Sequence, residues 1–226
     1  MARSRNGVAA SGPPRDPRFA RTGRSEEVYS AALRLFTEKG YHATSMQDIA
    51  ASVGLYKGSL YHYIGSKEDL LVRVFERAMG SLLAEVERIV ADPSLRPLDQ
   101  LRLVVQAHVC AVAENLDALT VYLHEFRALT GGAFDEVRIQ RERYVELVST
   151  IVARGVTFGD FVALDVDIAT LGVLGMCNWL AQWYRPGGRL SPGEIGGLFA
   201  DLVLNGLTSS PSPTRKAARR ASRQTP

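Results

Sequence analysis

The stretch Thr44-Ser-Met-Gln-Asp-Ile-Ala-Ala-Ser-Val-Gly-Leu-Tyr-Lys-Gly-Ser-Leu-Tyr-His-Tyr-Ile-Gly-Ser-Lys-Glu-Asp-Leu70 holds two short runs of helical spacing separated by a glycine. Thr44 can cap the first, with Gln47 reaching back as the other half of a capping box. Met46, Ile49, Ala50 and Val53 then share one apolar face. Gly54 ends that helix, Leu55 anchors the turn, and Lys57 to Ile64 form a second short helix with Leu60 and Ile64 turned inward. Two short helices joined by a glycine-containing turn form a helix-turn-helix. Its second helix is placed to enter a DNA major groove by its N-terminal end. The outward residues are Tyr56, Lys57, Gly58, Ser59, Tyr61 and His62. Gly58 lets backbone approach a phosphate, Lys57 supplies charge, and the rings join apolar faces to hydrogen-bonding tips that suit thymine methyls and phosphates. Periodicity alone also fits a solvated helix pair inside a bundle.

Upstream, Val28, Ala32, Leu35 and Phe36 recur at helical spacing from Ser25 onward, and Lys39-Gly40 supplies a basic last turn and a glycine stop. Downstream, Ser66-Lys67-Glu68-Asp69 is a second capping arrangement, and an apolar stripe runs from Leu71 through Val86 to Val90. This fourth helix, stopped by Asp92-Pro93, is long enough to join a small head to a separate body. Further stripes predict helices over Leu101 to Val112, Leu119 to Phe126, Val137 to a stop at Arg154-Gly155, and Ile168 to Tyr184. The last begins with Ser191 as cap, Pro192 at the first helical position and Glu194 closing the box, and it ends at Asn205-Gly206. The expectation is an all-α chain of about nine helices with no strand, divided into a head at 25–67 and a body at 68–207.

Composition sets bounds around this reading. Hydrophobic residues at 46% and charged residues at 23% suit a folded protein. Residues 1–24 carry six arginines and one aspartate, and residues 208–226 carry five basic residues and no acid. Without these ends the body has 16 basic and 23 acidic residues, a net charge near −7 although the whole chain is +3. Basic tails of this composition are either solvated and disordered or reach DNA phosphates and the minor groove. Cys110 and Cys177 sit in apolar helical stretches without CxxC spacing and read as reduced core residues. The N-terminus has no secretory apolar run, and the most apolar segment, Ile168 to Ala181, is about 14 residues, too short to span a bilayer. A cytoplasmic protein is expected, without membrane association.

Residues 25–70 resemble the DNA-binding signature of the TetR family of transcriptional regulators almost position by position. The resemblance implies that Thr44 and Ser45 meet phosphate at the start of the second helix. It also implies that Lys57, Gly58, Tyr61 and His62 meet DNA from the third, and that Lys67 binds phosphate. Two positions depart from the pattern: Tyr56 stands where Ser or Thr commonly caps the recognition helix, and Ile64 where Phe is usual. Loss of that cap costs about 1 kcal/mol, which fits retention of Tyr56 for base contact. In the family the last two long helices pair with their copies as a four-helix bundle, so a homodimer on a palindromic operator is implied.

The run Asn178-Trp-Leu-Ala-Gln-Trp-Tyr-Arg-Pro-Gly-Gly188, followed by Leu190-Ser-Pro-Gly-Glu-Ile195, is similar to the C-terminal signature of TetR regulators of fatty-acid and steroid degradation. Many of those respond to acyl-CoA thioesters. This implies a long cavity among helices four to eight, with an apolar end and a polar or basic mouth. Tyr122, Phe126, Trp179 and Trp183 are candidate walls, Gly175 with Gly172 candidate space, and Arg127, Asn178 and His108 candidate polar contacts. Each aromatic also reads as plain core, and the two glycines as close-packing positions. His108 and His124 invite a metal reading, but they are 16 residues apart without HxxxH spacing and are read as core or pocket histidines. No local catalytic motif and no cofactor fingerprint is present. The expectation is a non-enzymatic, ligand-released repressor. Its rival is an all-helical acyl-CoA-binding protein or enzyme whose N-terminal helices only pack.

Overall fold

The structure, a computed structural model, describes residues 17–208, with side chains described from residue 23 onward. Nine α-helices and one 3₁₀ turn succeed one another among these residues, and no strand occurs among them. They are α1 (Pro17–Lys39), α2 (Met46–Ser52), α3 (Lys57–Leu60), α4 (Lys67–Ala91), α5 (Pro97–Glu114) and α6 (Leu116–Glu125), then the 3₁₀ turn Phe126–Ala128, α7 (Gly131–Phe158), α8 (Val166–Trp183) and α9 (Pro192–Thr208). The expectations for residues 1–16 and 209–226 lie outside the described residues.

Three boundaries differ from the sequence reading. Helix α1 starts at Pro17, eight residues before Ser25, so residues 17–24 of the expected disordered arm are helical. Proline suits a first helical turn because its φ is preset and its missing N–H strands nothing. Arg24, assigned to the arm, instead donates to the Val53 carbonyl at 2.8 Å and pairs with Glu27, tying α1 to the end of α2. Helix α7 passes through Gly155 and ends at Gly159, whose φ of +79° suits a residue without Cβ. Gly155 is a packing position instead: a Cβ there would come within 2.2 Å of the Phe161 ring. Helix α3 is one short turn, continued to Tyr63 and Ile64 by the bonds Tyr63 N to Leu60 O and Ile64 N to Leu60 O rather than by a longer helix.

One continuous core joins head and body. Val28, Ala32, Leu35, Phe36, Ile49, Ala50 and Leu60 are buried in the head, where they meet Leu70, Leu71, Val74 and Phe75 from the first half of α4. The second half of α4 buries Leu82, Val86 and Ile89 in the body. Its end is held by the fully buried Gln100, whose amide donates to the carbonyls of Ile89 and Val90 at 3.0 and 3.3 Å. Helix α5 is the centre of the body and packs against α4, α7, α8 and α9. Gly196 lets α9 lie close to it, since a Cβ there would sit 3.1 Å from the Gln106 Cα.

Inside the body, the Tyr144 hydroxyl donates to His108 Nδ1 at 2.9 Å and His108 Nε2–H donates to Asn178 Oδ1 at 3.1 Å. This chain ties α7, α5 and α8 together. Burial pushes the His108 imidazole down to about 4, so the ring is neutral, while burial raises the Tyr144 hydroxyl and the Cys177 thiol, the latter to about 12.

Helix α8 is two-sided. Thr170, Val173, Leu174, Cys177, Leu180 and Ala181 are buried. Ile168, Leu171, Trp179 and Trp183 are exposed on it, as are Leu198 and Leu202 on α9, with Trp179 at 65%. No described helix is long and apolar enough to cross a membrane.

Candidate nucleic-acid interface and cavity

Helix α2 begins one residue later than its sequence suggests. Ser45 is the N-cap: its Oγ accepts from Asp48 N at 3.1 Å, and the Asp48 carboxylate accepts from Ser45 N at 2.9 Å. Those bonds from Ser45 hold the Asp48 carboxyl below the usual range. Gln47, expected to close the box, is displaced from that role by the shorter acid at the next position. Thr44 is buried and takes no part in the cap. Its hydroxyl reaches back to the carbonyls of Gly40 at 2.9 Å and Leu35 at 3.2 Å, satisfying the end of α1. The Thr44 side chain is thus turned into the head, and Ser45 is the exposed member of the pair.

Lys67 is also committed inward. Its ammonium donates to the carbonyls of Tyr41 and Thr44, both at 2.9 Å, and lies 4.2 Å from the centre of the Tyr41 ring. The residue expected to bind phosphate thus clasps the loop between α1 and α2.

The remaining residues of the expected DNA face are brought together around α3. Tyr56 is its N-cap, makes no side-chain cap bond and is 87% exposed. Lys57, Gly58, Tyr61 and His62 are exposed and Ser59 is half-buried. Nothing lies within 4 Å of where a Gly58 Cβ would stand, so the backbone is open to close approach. Leu60 and Ile64 point into the core as their spacing implied.

A cavity of about 600 Å³ opens between α7, α8 and the 3₁₀ turn. Phe126, Phe134, Val145 and Leu171 give it apolar walls, and Arg138, Arg141, Glu142, Glu146, Ser149, Asp167 and Thr170 give it polar ones. Arg138 is paired with Asp135 and Glu142. Arg141 has no ion pair with a described residue and lies 5.2 Å over the Phe126 ring, a cation–π contact that leaves its charge open to an anion.

Only one of the residues expected at the ligand, Phe126, lines this cavity. Tyr122 is buried behind it, 5.0 Å from Phe75 and 6.1 Å from Phe126 between ring centres. Arg127 is exposed in the 3₁₀ turn. His108 and Asn178 are occupied with each other, and Gly175, Trp179 and Trp183 lie on the outward side of α8. None of these five is in the lining of this cavity. The sequence carried an unused signal: Phe134, Arg138, Arg141 and Val145 recur at helical spacing and form a single face of α7. No group of three or more His, Cys, Asp or Glu side chains suited to a metal occurs among the described residues.

The cavity wall is chemically next to the head. Glu125, which precedes Phe126, accepts from Tyr41 N at 3.4 Å and faces His42 at 3.8 Å. Thr130 donates to Glu68 at the start of α4 through its N–H at 2.8 Å.

Residues 28–74 match the family of bacterial regulatory proteins, tetR family, and residues 94–207 match the tetracyclin repressor-like C-terminal domain. The chain belongs to the TetR family of bacterial regulatory proteins. It is 30% identical to the HTH-type transcriptional repressor KstR2 of Rhodococcus jostii strain RHA1, over 87% of this chain and 97% of that protein. It is 25% identical to the fatty acid metabolism regulator protein of Bacillus subtilis strain 168, over 80% of this chain and 94% of that one. Among solved structures, AibR in complex with isovaleryl coenzyme A and operator DNA superposes with a TM-score of 0.70 at 28% identity, covering 82% of this chain and 98% of that chain.

Proposed function

We propose that this protein is a homodimeric transcriptional repressor that holds a palindromic operator through α3 and releases it when an acyl-CoA thioester enters the cavity between α7 and α8. The observation that carries the proposal is the adjacency of cavity and head. Phe126 is a wall of the cavity, and the residue before it is bonded to the loop that leads into α2. A ligand shifts such an arrangement only by its differential affinity for the two states, and displacement of Phe126 acts directly on Glu125 and the α1–α2 loop. AibR, a relative by structure, binds both an acyl-CoA and operator DNA.

In this reading Ser45, Tyr56, Lys57, Gly58, Ser59, Tyr61 and His62 meet DNA, while Thr44 and Lys67 set the loop that presents them. The head spans 25–67, extended by the start of α1, and the body 68–207. The exposed apolar side of α8 and α9, with Trp179 and Leu202 each 65% exposed, pairs with its copy. Pairing matches recognition helices to half-sites about one helical turn apart. Arg141 meets an anionic part of the effector, and Phe126, Phe134 and Val145 its hydrocarbon.

The test is selection of bound sequences from random duplexes by the full-length protein, repeated with isovaleryl-, octanoyl- and steroid-CoA. A palindrome lost in the presence of a thioester is the expected result. Failure to recover a palindrome overturns the reading, and a palindrome indifferent to every thioester overturns the effector.

A further inference from the structure

Thr170 lines the cavity, is 1% exposed, and is the residue among those described whose buried side-chain polar atom has no hydrogen-bond partner. A threonine inside a helix has a ready partner in the carbonyl four residues earlier. Four helical threonines among the described residues use it: Thr37 donates to Leu33, Thr150 to Glu146, Thr157 to Ala153 and Thr208 to Leu204, all at 2.8–2.9 Å. Thr170 makes no such bond to Val166. A buried hydroxyl left without a partner costs stability, and valine would supply the same shape at this position without that cost. The surrounding wall of Phe126, Phe134, Val145 and Leu171 already suffices for a plain hydrocarbon. A hydroxyl there has a use when the molecule filling the cavity brings an oxygen to it.

We infer that the effector is an oxygenated acyl thioester, whose acyl portion carries a keto or hydroxyl oxygen that hydrogen-bonds to Thr170 and is preferred over the unsubstituted chain. This rests on the proposal that an acyl-CoA occupies the cavity. The hydroxyl serves either chemistry, as donor to a ketone or as donor and acceptor to an alcohol. Thr170 is then a specificity residue, separate from the anion contact at Arg141.

The experiment is titration calorimetry on the full-length protein with butyryl- and octanoyl-CoA, each in plain, β-keto, β-hydroxy and ω-hydroxy form, for wild type, Thr170→Val and Thr170→Ser. Valine keeps the shape and removes the hydroxyl, and serine restores the hydroxyl. Wild type is expected to bind at least one oxygenated form about tenfold tighter than its plain counterpart, the worth of one well-made hydrogen bond. Thr170→Val should lose the preference for the oxygenated over the plain thioester, and Thr170→Ser should keep it. Equal binding of plain and oxygenated forms by wild type, or a preference that survives in Thr170→Val, overturns this inference alone. Absence of binding by every thioester overturns both this inference and the effector reading beneath it.

Discussion

Replacing Lys67 with methionine separates two roles that a simple loss of DNA binding would confuse. The ammonium makes two charge-assisted bonds of 2.9 Å to the carbonyls of Tyr41 and Thr44 and rests on the Tyr41 ring. Bonds of this kind are worth roughly 1.5–3 kcal/mol each when fully sheltered, and the ring contact about 0.5–1 kcal/mol. Lys67 is half-buried, so water replaces part of what is lost, and a net cost of about 2 kcal/mol is expected. For a chain of this size that lowers Tm by roughly 4–8 °C. The α1–α2 loop also carries Ser45, so operator affinity falls. If Lys67 acts through this clasp and neutralises no phosphate, the slope of log K against log salt should stay unchanged, whereas each lost phosphate contact flattens it by about 0.9. Lys57→Met is the contrast: exposed on α3, it should flatten the slope and leave Tm almost untouched. Calorimetry and operator titration at several salt concentrations measure both quantities. A Lys67→Met protein with wild-type Tm and a flattened slope would refute the clasp.

Two further outcomes follow from single residues. Tyr56→Ser installs a capping side chain where none bonds now, which should add about 0.5–1 kcal/mol of stability. The loss of an 87% exposed ring should change the selected operator sequence, and an unchanged sequence would remove Tyr56 from base reading. His108 is pushed from 6.5 to about 4 by burial. As pH falls below 6.5 the unfolded chain therefore takes up this proton before the folded one does. Its contribution is complete above about 6.5 and is lost progressively down to about 4, by at most roughly 3 kcal/mol. Tm measured from neutral to acid pH should show this fall in wild type and a shallower one in His108→Gln, and identical pH profiles for the two proteins would contradict it.

Most of the architecture was legible because the head and α4 have one buried face each. Leu71, Val74, Phe75 and Ala78 repeat at helical spacing along α4 and are all buried. The cap of α2 was read one residue early because Thr44 and Ser45 are equally good caps by type. The choice fell to the end of α1, whose carbonyls at Leu35 and Gly40 need the Thr44 hydroxyl. The clasp formed by Lys67 was hidden for a similar reason. A lysine at a helix start reads as a phosphate ligand, and nothing in the local pattern reveals two carbonyls from a loop more than twenty residues earlier waiting for it.

The cavity was hardest to read because α8 is apolar on most sides and its periodicity names no inward face. Trp179, one turn beyond Gly175, looked like the wall of a chamber opened by missing side chains. At about 100° per residue, Trp179 stands about 180° from Thr170, so one helix cannot present both to the same cavity. Contacts with α5 and α7 decide the matter, and they bury Thr170, Leu174 and Cys177. The glycines and tryptophans are thereby turned outward, where Gly172 and Gly175 leave open space beside exposed rings. In the proposed dimer that outward side is the seam between subunits. The same helix then carries the effector on one side and the partner on the other, so a ligand that shifts α8 to reach Thr170 must also shift the seam that spaces the two recognition helices.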